Sequence, residues 1–265
     1  MSKIEQMVKD FKAMGLEEED VVLVHSSFKS LGLEKGDGEP RDVIEALKLV
    51  LGEDGTLLLP SLSYEYCHEG QRKFDLTTMK SCVGVIPETF RKMEGVVRSM
   101  HPTHSVSGWG KMARALLGEH HLDDTPCGGK SPFAKVRDVG GKVLMLGCGL
   151  EPNTSMHGVE ELVKPRYLFA HEVEYEVRVG NEPWRCAGEG VVDGKMVNWR
   201  HGHSQRGYVQ RYDRMEKFMD EGVGVKGKTL EAECWLMDAQ KMWEVGVREM
   251  SKKELYFVDE LKIGS

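Results

Sequence analysis

Apolar positions along the chain alternate between two periods. Ile4, Met7, Val8, Phe11 and Met14 recur at helical spacing, which predicts an amphipathic helix at the start of the chain. The run Val21–Val24 is apolar throughout and leads into a polar, serine-containing turn, the pattern of a strand buried on both faces. Arg41–Leu51 returns to the helical period with Val43, Ile44, Leu47 and Val50 on one face. GEDG stops it, and GTLLLP reads as a second buried strand. Strand, helix and strand in that order predict a βαβ unit and a parallel sheet.

Further along, VGVIPETFRKM predicts a helix opening near Pro87, and KVLMLG at Lys142–Gly147 another buried strand. From Val173 to Met196 the period changes. EVEYEVRV alternates and VVDGKMV carries an Asp193-Gly194 hairpin signal, so an antiparallel portion follows the parallel one. Helical stretches are expected around Tyr208–Met219 and Asp238–Met250. The fold class these patterns predict is α/β: a mixed, largely parallel central sheet flanked by helices, with an antiparallel C-terminal extension. No repeat, low-complexity tract or long linker divides the chain, so one domain over residues 1–265 is expected.

Composition narrows the function classes. A 265-residue chain that is 40% hydrophobic can bury a sizeable core. Its net charge of −7, with no basic stripe, argues against a nucleic-acid partner and suits a cationic small molecule. The opening MSKIEQMVKDF has no apolar signal region and no apolar run approaches membrane-spanning length, so a cytoplasmic protein without a membrane partner is expected. Six cysteines without a C-x-x-C pair are expected to be reduced thiols.

Four segments concentrate polar chemistry. HSSFKSLG (His25–Gly32) follows a strand, where α/β proteins bind ligands, and Ser26, Ser27, Ser30 and Gly32 can offer donors to phosphates or to a pantetheine arm. Serines in that position equally suit helix capping. HPTHSVSGWG (His101–Gly110) spaces two histidines by three residues, but Pro102 interrupts the helix a metal pair needs and no nearby carboxylate completes a set, so no metal is expected. GLEPNTSMHGVEE (Gly149–Glu161) places Asn153, Thr154 or Ser155 at a helix start, with His157 in the first turn. Glu160 and Glu161, three and four residues on, can share its face. A histidine oriented by a carboxylate is what general-base catalysis uses, although acidic residues at a helix start also complement the helix dipole. Cys148 lies between glycines at a strand end and Cys127 in a turn; as nucleophiles both lack an adjacent base, and no G-x-S-x-G elbow is present.

In chain order, VLVHSSFKSLG, GTLLLPSLSY, VGVIPETFR, VRSMHPTHSVSGWG, PCGGKSPFAKV and KVLMLGCGLEPNTSMHGVEE resemble the aminoglycoside 3-N-acetyltransferase family, whose fold is distinct from the GNAT fold. The resemblance covers about residues 20–165. It implies acetyl transfer from acetyl-CoA to the 3-amino group of a 2-deoxystreptamine ring. The family's His-Glu pair falls on His157 and Glu160. The segments that resemble CoA contacts place Ser26, Ser27, Leu31, Gly32, His104, Ser105, Val106, Ser131 and Phe133 in that role. Where the family has Leu-Ala between its histidine and glutamate, this chain has Gly158-Val159.

Direct transfer needs an oxyanion donor, for which Thr154 and Ser155 are candidates, and needs no metal. An aminoglycoside carries several positive charges, so carboxylates and aromatic faces are expected around it. Tyr64, Glu65, Glu69 and Asp75 in the loop after the second strand, and Glu161, are the candidates, and a solvated acidic loop fits the first four equally. The expected partners are a small-molecule amine and acetyl-CoA, with a homodimer as the candidate assembly. Three other readings compete: acetylation of a non-antibiotic amine, CoA binding without turnover, and a hydrolase built on Cys148.

Overall fold

The computed structural model describes residues 1–34 and 36–261. Helix α1 (Lys3–Ala13) opens on a reciprocal cap: Ser2 Oγ accepts from the Glu5 amide, and the Glu5 carboxylate accepts from the Ser2 amide. Then come β1 (Val21–Ser26), α2 (Pro40–Leu51), β2 (Thr56–Pro60), β3 (Lys73–Asp75), α3 (Val85–Phe90), β4 (Val97–Arg98) and β5 (Val106–Gly110). The middle of the chain forms α4 (Ala113–Leu117), α5 (Pro132–Asp138), β6 (Lys142–Leu146) and α6 (Ser155–Val163). The last third forms β7 (Phe169–Arg178), β8 (Gly194–His201), β9 (Tyr208–Gln210), β10 (Gly224–Thr229), β11 (Ala232–Asp238), α7 (Ala239–Lys252) and β12 (Val258–Glu260).

Seven strands make the central sheet, in the order β10-β11-β6-β1-β2-β5-β4. At its heart β6, β1 and β2 run parallel, and antiparallel strands continue it on both sides. The unbroken apolar runs of β1, β2 and β6 are explained by helices on both faces. One face carries Val22, Val24, Leu57, Leu59, Leu144 and Leu146 against Met7 and Phe11 of α1 and Ile44 and Leu47 of α2. The opposite face carries Leu23, Leu58, Val143 and Met145 against Phe133 of α5, Met156 and Val159 of α6, and Trp243 of α7. The result is the expected mixed α/β sheet between helical layers.

A second sheet, in the order β3-β7-β8, holds its own apolar cluster around Phe74, Val173, Tyr175 and Val177. The alternation of EVEYEVRV is thus realised in β7, antiparallel to β8. Two local expectations are corrected. Asp193-Gly194 is not a tight hairpin turn: the β7–β8 connection runs through residues 179–193 and includes the short 3-10 turn Pro183–Arg185. Asp193 Oδ1 accepts the Val179 amide at its closing end. The α-helix expected around Tyr208–Met219 is instead β9 followed by a 3-10 segment, Tyr212–Glu221, whose apolar Tyr212, Met215 and Phe218 still turn inward. No helix among the described residues is long and apolar enough to cross a membrane.

Candidate active site

The carboxyl ends of β1, β2 and β6 open onto two adjoining hollows, as expected for an α/β sheet. The larger, about 410 Å3, is lined by His104, His157, Arg200, His201, His203 and Tyr212 among others. The smaller, about 220 Å3, is lined by His25 and Ser26 of β1, Pro60 of β2 and Cys148 after β6. Tyr64, Val83, Pro152 and Thr154 border both, so the two share a wall.

His157 lies in the first turn of α6, its side chain 14% exposed, and its Nδ1 lies 2.9 Å from Glu160 Oε2. Helical spacing alone brings the pair together. Glu160 is fully buried and is approached by more than His157. Tyr212 donates to Oε2 at 2.8 Å, Tyr167 to Oε1 at 2.9 Å, and His203 Nε2 lies 2.9–3.0 Å from both oxygens. Burial alone raises a carboxyl pKa, but hydrogen bonds from His157 and His203, and then their charges, hold Glu160 well below the usual carboxylate range. An ionised Glu160 accepts only, so Nδ1 of His157 carries the proton and Nε2 presents its lone pair. The Tyr212 hydroxyl also stands 2.9 Å from His157 Nδ1; having given its proton to Glu160, it accepts there.

Glu161 faces the other way. It accepts from Thr125 Oγ1 at 2.6 Å and from the Cys127 amide at 2.8 Å, and it lies 2.8 Å from His201 Nε2. Burial, partly offset by the bonds from Thr125 and Cys127, pushes its pKa up to about 7. Burial first, and neighbouring histidines second, drive His104 and His201 well below the usual imidazole value, so both are neutral. One ring nitrogen of each of His104, His157 and His201 lies within 4.8 Å of the others, as do ligand atoms of His157, Glu160 and His203; among the described residues these are the two groups that could hold a metal.

Of the residues assigned from sequence, Ser26, Tyr64, His104, Thr154, His157 and, through its hydrogen bonds, Glu160 meet at the two hollows. Thr154 gives its amide proton to His25 Nε2. Ser27 pairs hydroxyls with Ser30 at 2.9 Å. Several other assigned residues have their side chains engaged elsewhere. Leu31 packs among the helices on one face of the sheet, and Val106 and Phe133 pack into the core on the other, all 0–1% exposed. Ser131 is the N-cap of α5, its hydroxyl accepting the Ala134 amide. Ser105 is buried against the Arg98 guanidinium at 2.9 Å. Gly32, at φ +68°, closes a turn, and a β-carbon there would run into the Glu231 side chain. Ser155 is turned from the cleft: its hydroxyl accepts the Trp243 indole N–H at 2.9 Å and its amide goes to Asn153 Oδ1. Asp75 is also withdrawn, accepting the amides of Thr77 and Thr78 in a tight turn. Glu65 is exposed beside Tyr64, and Glu69 pairs with His171 at 2.8 Å.

Only one histidine of the HPTH pair reaches the cleft. His101 is buried, stacks on His120 at 4.6 Å, and accepts the amides of Thr103 and His104. Burial pushes the Cys148 thiol up to about 12, and drives Cys127 well above its ordinary value, so neither is a thiolate near neutral pH. The site residues that sequence reasoning missed are Tyr167, His201, His203 and Tyr212. The available signal was the H-x-H of His201 and His203 at the end of β8, in the part of the chain where the resemblance fades.

Fold and cleft together are those of an α/β acyltransferase. The profile of the aminoglycoside 3-N-acetyltransferase family matches residues 23–251, and the chain belongs to that family. It is 30% identical to aminoglycoside N(3)-acetyltransferase VII of Streptomyces paromomycinus, over 94% of this chain and 91% of the relative. It is 29% identical to aminoglycoside N(3)-acetyltransferase VIII of Streptomyces fradiae, over 91% and 89%. Among solved structures, aminoglycoside acetyltransferase AAC(3)-Xa superposes with a TM-score of 0.75 at 27% identity, covering 95% of this chain and 93% of that one. AAC-IIIb in a binary complex with CoASH superposes at 0.77 with 23% identity, covering 100% and 99%.

Proposed function

We propose that the chain transfers the acetyl group of acetyl-CoA to the 3-amino group of a 2-deoxystreptamine aminoglycoside, with His157 as general base and Glu160 as the carboxylate that orients it. The observation that carries the reading is the His157 Nδ1–Glu160 contact of 2.9 Å around a fully buried carboxylate, which leaves Nε2 bare toward the cleft. An ammonium ion has no lone pair for attack. One ammonium proton passes to solvent; His157 Nε2 takes a second from the nitrogen as it bonds to the thioester carbonyl carbon, and the tetrahedral intermediate collapses with loss of the C–S bond. The CoA sulfur leaves with the electron pair and takes the proton back from His157. Glu160 stabilises the imidazolium between the two transfers.

A positioned base supplies about 10²–10⁴-fold, and alignment of two bound reactants up to roughly 7–11 kcal/mol. The Thr154 hydroxyl, bordering both hollows, is the oxyanion donor in this reading, and the transfer as written needs no metal. Ser26, at the smaller hollow, contacts the donor. Tyr64 gives the acceptor an aromatic face, and Glu151, which also lines the cleft, adds a carboxylate for its ammonium groups. CoASH is bound by AAC-IIIb and a gentamicin by a variant of AAC(3)-IVa, both of which share this fold.

The test is thiol release from acetyl-CoA in the presence of gentamicin-type acceptors. His157→Ala is expected to keep acetyl-CoA affinity while turnover falls about 10²–10⁴-fold. Near-normal turnover in that variant would remove His157 from the mechanism. Transfer to simple amines but to no aminoglycoside would overturn the acceptor.

A further inference from the structure

Three imidazoles meet in the cleft, and one nitrogen of each ring is held by a hydrogen-bond partner. His157 Nδ1 is held by Glu160 at 2.9 Å, His201 Nε2 by Glu161 at 2.8 Å, and His104 Nδ1 by the Thr103 hydroxyl at 2.9 Å. What remains is Nε2 of His157, Nε2 of His104 and Nδ1 of His201, the last buried without a hydrogen-bond partner. The three rings offer ligand atoms within 4.8 Å of one another, with centroid separations of 4.5, 5.4 and 6.1 Å. Nothing in acetyl transfer to an amine requires three converging imidazole lone pairs.

We propose that His104, His157 and His201 form a site for a divalent transition ion of the Zn²⁺ type, and that the ion shuts off acetyl transfer by taking the lone pair of His157. This rests on the reading of His157 Nε2 as the base, because the same atom serves both roles and cannot serve them together.

The donor set is that of an imidazole-preferring ion: three histidines and a fourth position open to the cleft. At Zn–N distances of about 2.0–2.1 Å in tetrahedral geometry the nitrogens stand roughly 3.4 Å apart, so the widest separation closes by side-chain rotation of about 1.5 Å or less. Two of the three ligands are backed by carboxylates, the arrangement that fixes the tautomer and raises the basicity of metal-bound histidines. The alternative trio of His157, Glu160 and His203 is a poorer host. Its members are already bonded to one another, and an ion there must break the His157–Glu160 and His203–Glu160 contacts.

The experiment titrates Zn²⁺ into chelator-treated protein by competition with a chromophoric chelator, alongside His104→Gln and His201→Gln, each first shown by circular dichroism to be folded. One ion per chain is expected. Each substitution is expected to weaken binding by at least about 10-fold, the lower end of what loss of a mere supporting residue costs. Zn²⁺ at one equivalent is expected to suppress thiol release, and excess chelator to restore it. Non-saturable binding, or equal affinity in wild type and both variants, would overturn the site, as would tight binding that leaves turnover intact. Chelator-treated wild type that releases no thiol from acetyl-CoA would instead sink the base assignment, while the titration still judges the site. A variant that fails to fold is replaced by the other, since each ligand is tested independently.

Discussion

The Tyr212 hydroxyl donates to Glu160 across 2.8 Å, from a segment 52 residues further along the chain. It joins Tyr167 and His203 around a carboxylate whose pKa burial alone would raise. The proposed base therefore draws on two regions of the chain: α6 supplies the His-Glu pair, and residues C-terminal to α6 supply the further partners of Glu160. Tyr212→Phe removes one charge-assisted bond and little volume. We expect kcat to fall about 10-fold, the equivalent of about 1.4 kcal/mol, with the KM for acetyl-CoA unchanged. Steady-state kinetics check this, and an unaltered kcat would reduce Tyr212 to a packing residue.

That division explains what could be read from the sequence. His157 and Glu160 are three residues apart on one helix, so the spacing that makes them neighbours is visible in the chain itself. The buried strands β1, β2 and β6 were equally legible, because a strand covered on both faces must be apolar throughout. His203, Tyr167 and Tyr212 reach Glu160 through tertiary contacts, which no local period encodes. Tyr212 carried the inward-facing spacing of a helix, and that spacing survives in a 3-10 segment, so the face was predicted and the backbone was not. Phe133, Val106 and Leu31 are the opposite case. They belong to segments that resemble cofactor-binding regions, yet their own side chains pack in the core.

Ser105 separates these two kinds of role. Its hydroxyl accepts from Arg98 Nε at 2.9 Å and donates to the Ser61 carbonyl at 2.9 Å. Arg98 also donates to the carbonyls of Leu76, Met79 and Ser61, and it is buried. Ser105→Ala leaves part of a buried guanidinium unpaired, and we expect a stability loss of about 1–3 kcal/mol with the KM for acetyl-CoA unchanged. Denaturant unfolding and kinetics on the same variant check it. A raised KM at unchanged stability would return Ser105 to the cofactor.

His25 makes stability depend on pH. Burial lowers its pKa from the ordinary imidazole value to about 4, and its Nε2 accepts the Thr154 amide, a bond that only the neutral ring can make. Between about pH 6.5 and 4 the unfolded chain binds this proton and the folded chain does not, so stability falls as pH drops through that window. The loss attributable to His25 is up to about 3 kcal/mol, complete near pH 4 and absent above pH 7. Denaturant unfolding at pH 7, 6, 5 and 4 in wild type and His25→Gln measures it. Equal pH slopes in the two proteins would show that His25 does not titrate on unfolding.

Gly158, one of the two positions between His157 and Glu160 that depart from the family pattern, lies beneath the indole of Trp243. A β-carbon at 158 would come within 2.1 Å of Cη2 and 2.4 Å of Cζ2. Trp243 cannot easily withdraw, because its Nε1 donates to Ser155 at 2.9 Å and its ring is covered by Arg137. Alanine normally stabilises a helix interior over glycine by about 1 kcal/mol, whereas overpacking a core costs about 1–3 kcal/mol. We expect the clash to win: Gly158→Ala lowers stability by about 1–2 kcal/mol and lowers kcat by displacing His157. Trp243→Phe removes the benzo ring carbons that the new methyl would meet. The double variant Gly158→Ala/Trp243→Phe is therefore expected to lose at least about 1 kcal/mol less than the sum of the single losses, a coupling that unfolding measurements on the four proteins resolve. Strict additivity would mean that the chain absorbs the methyl elsewhere and that the glycine is not there for Trp243.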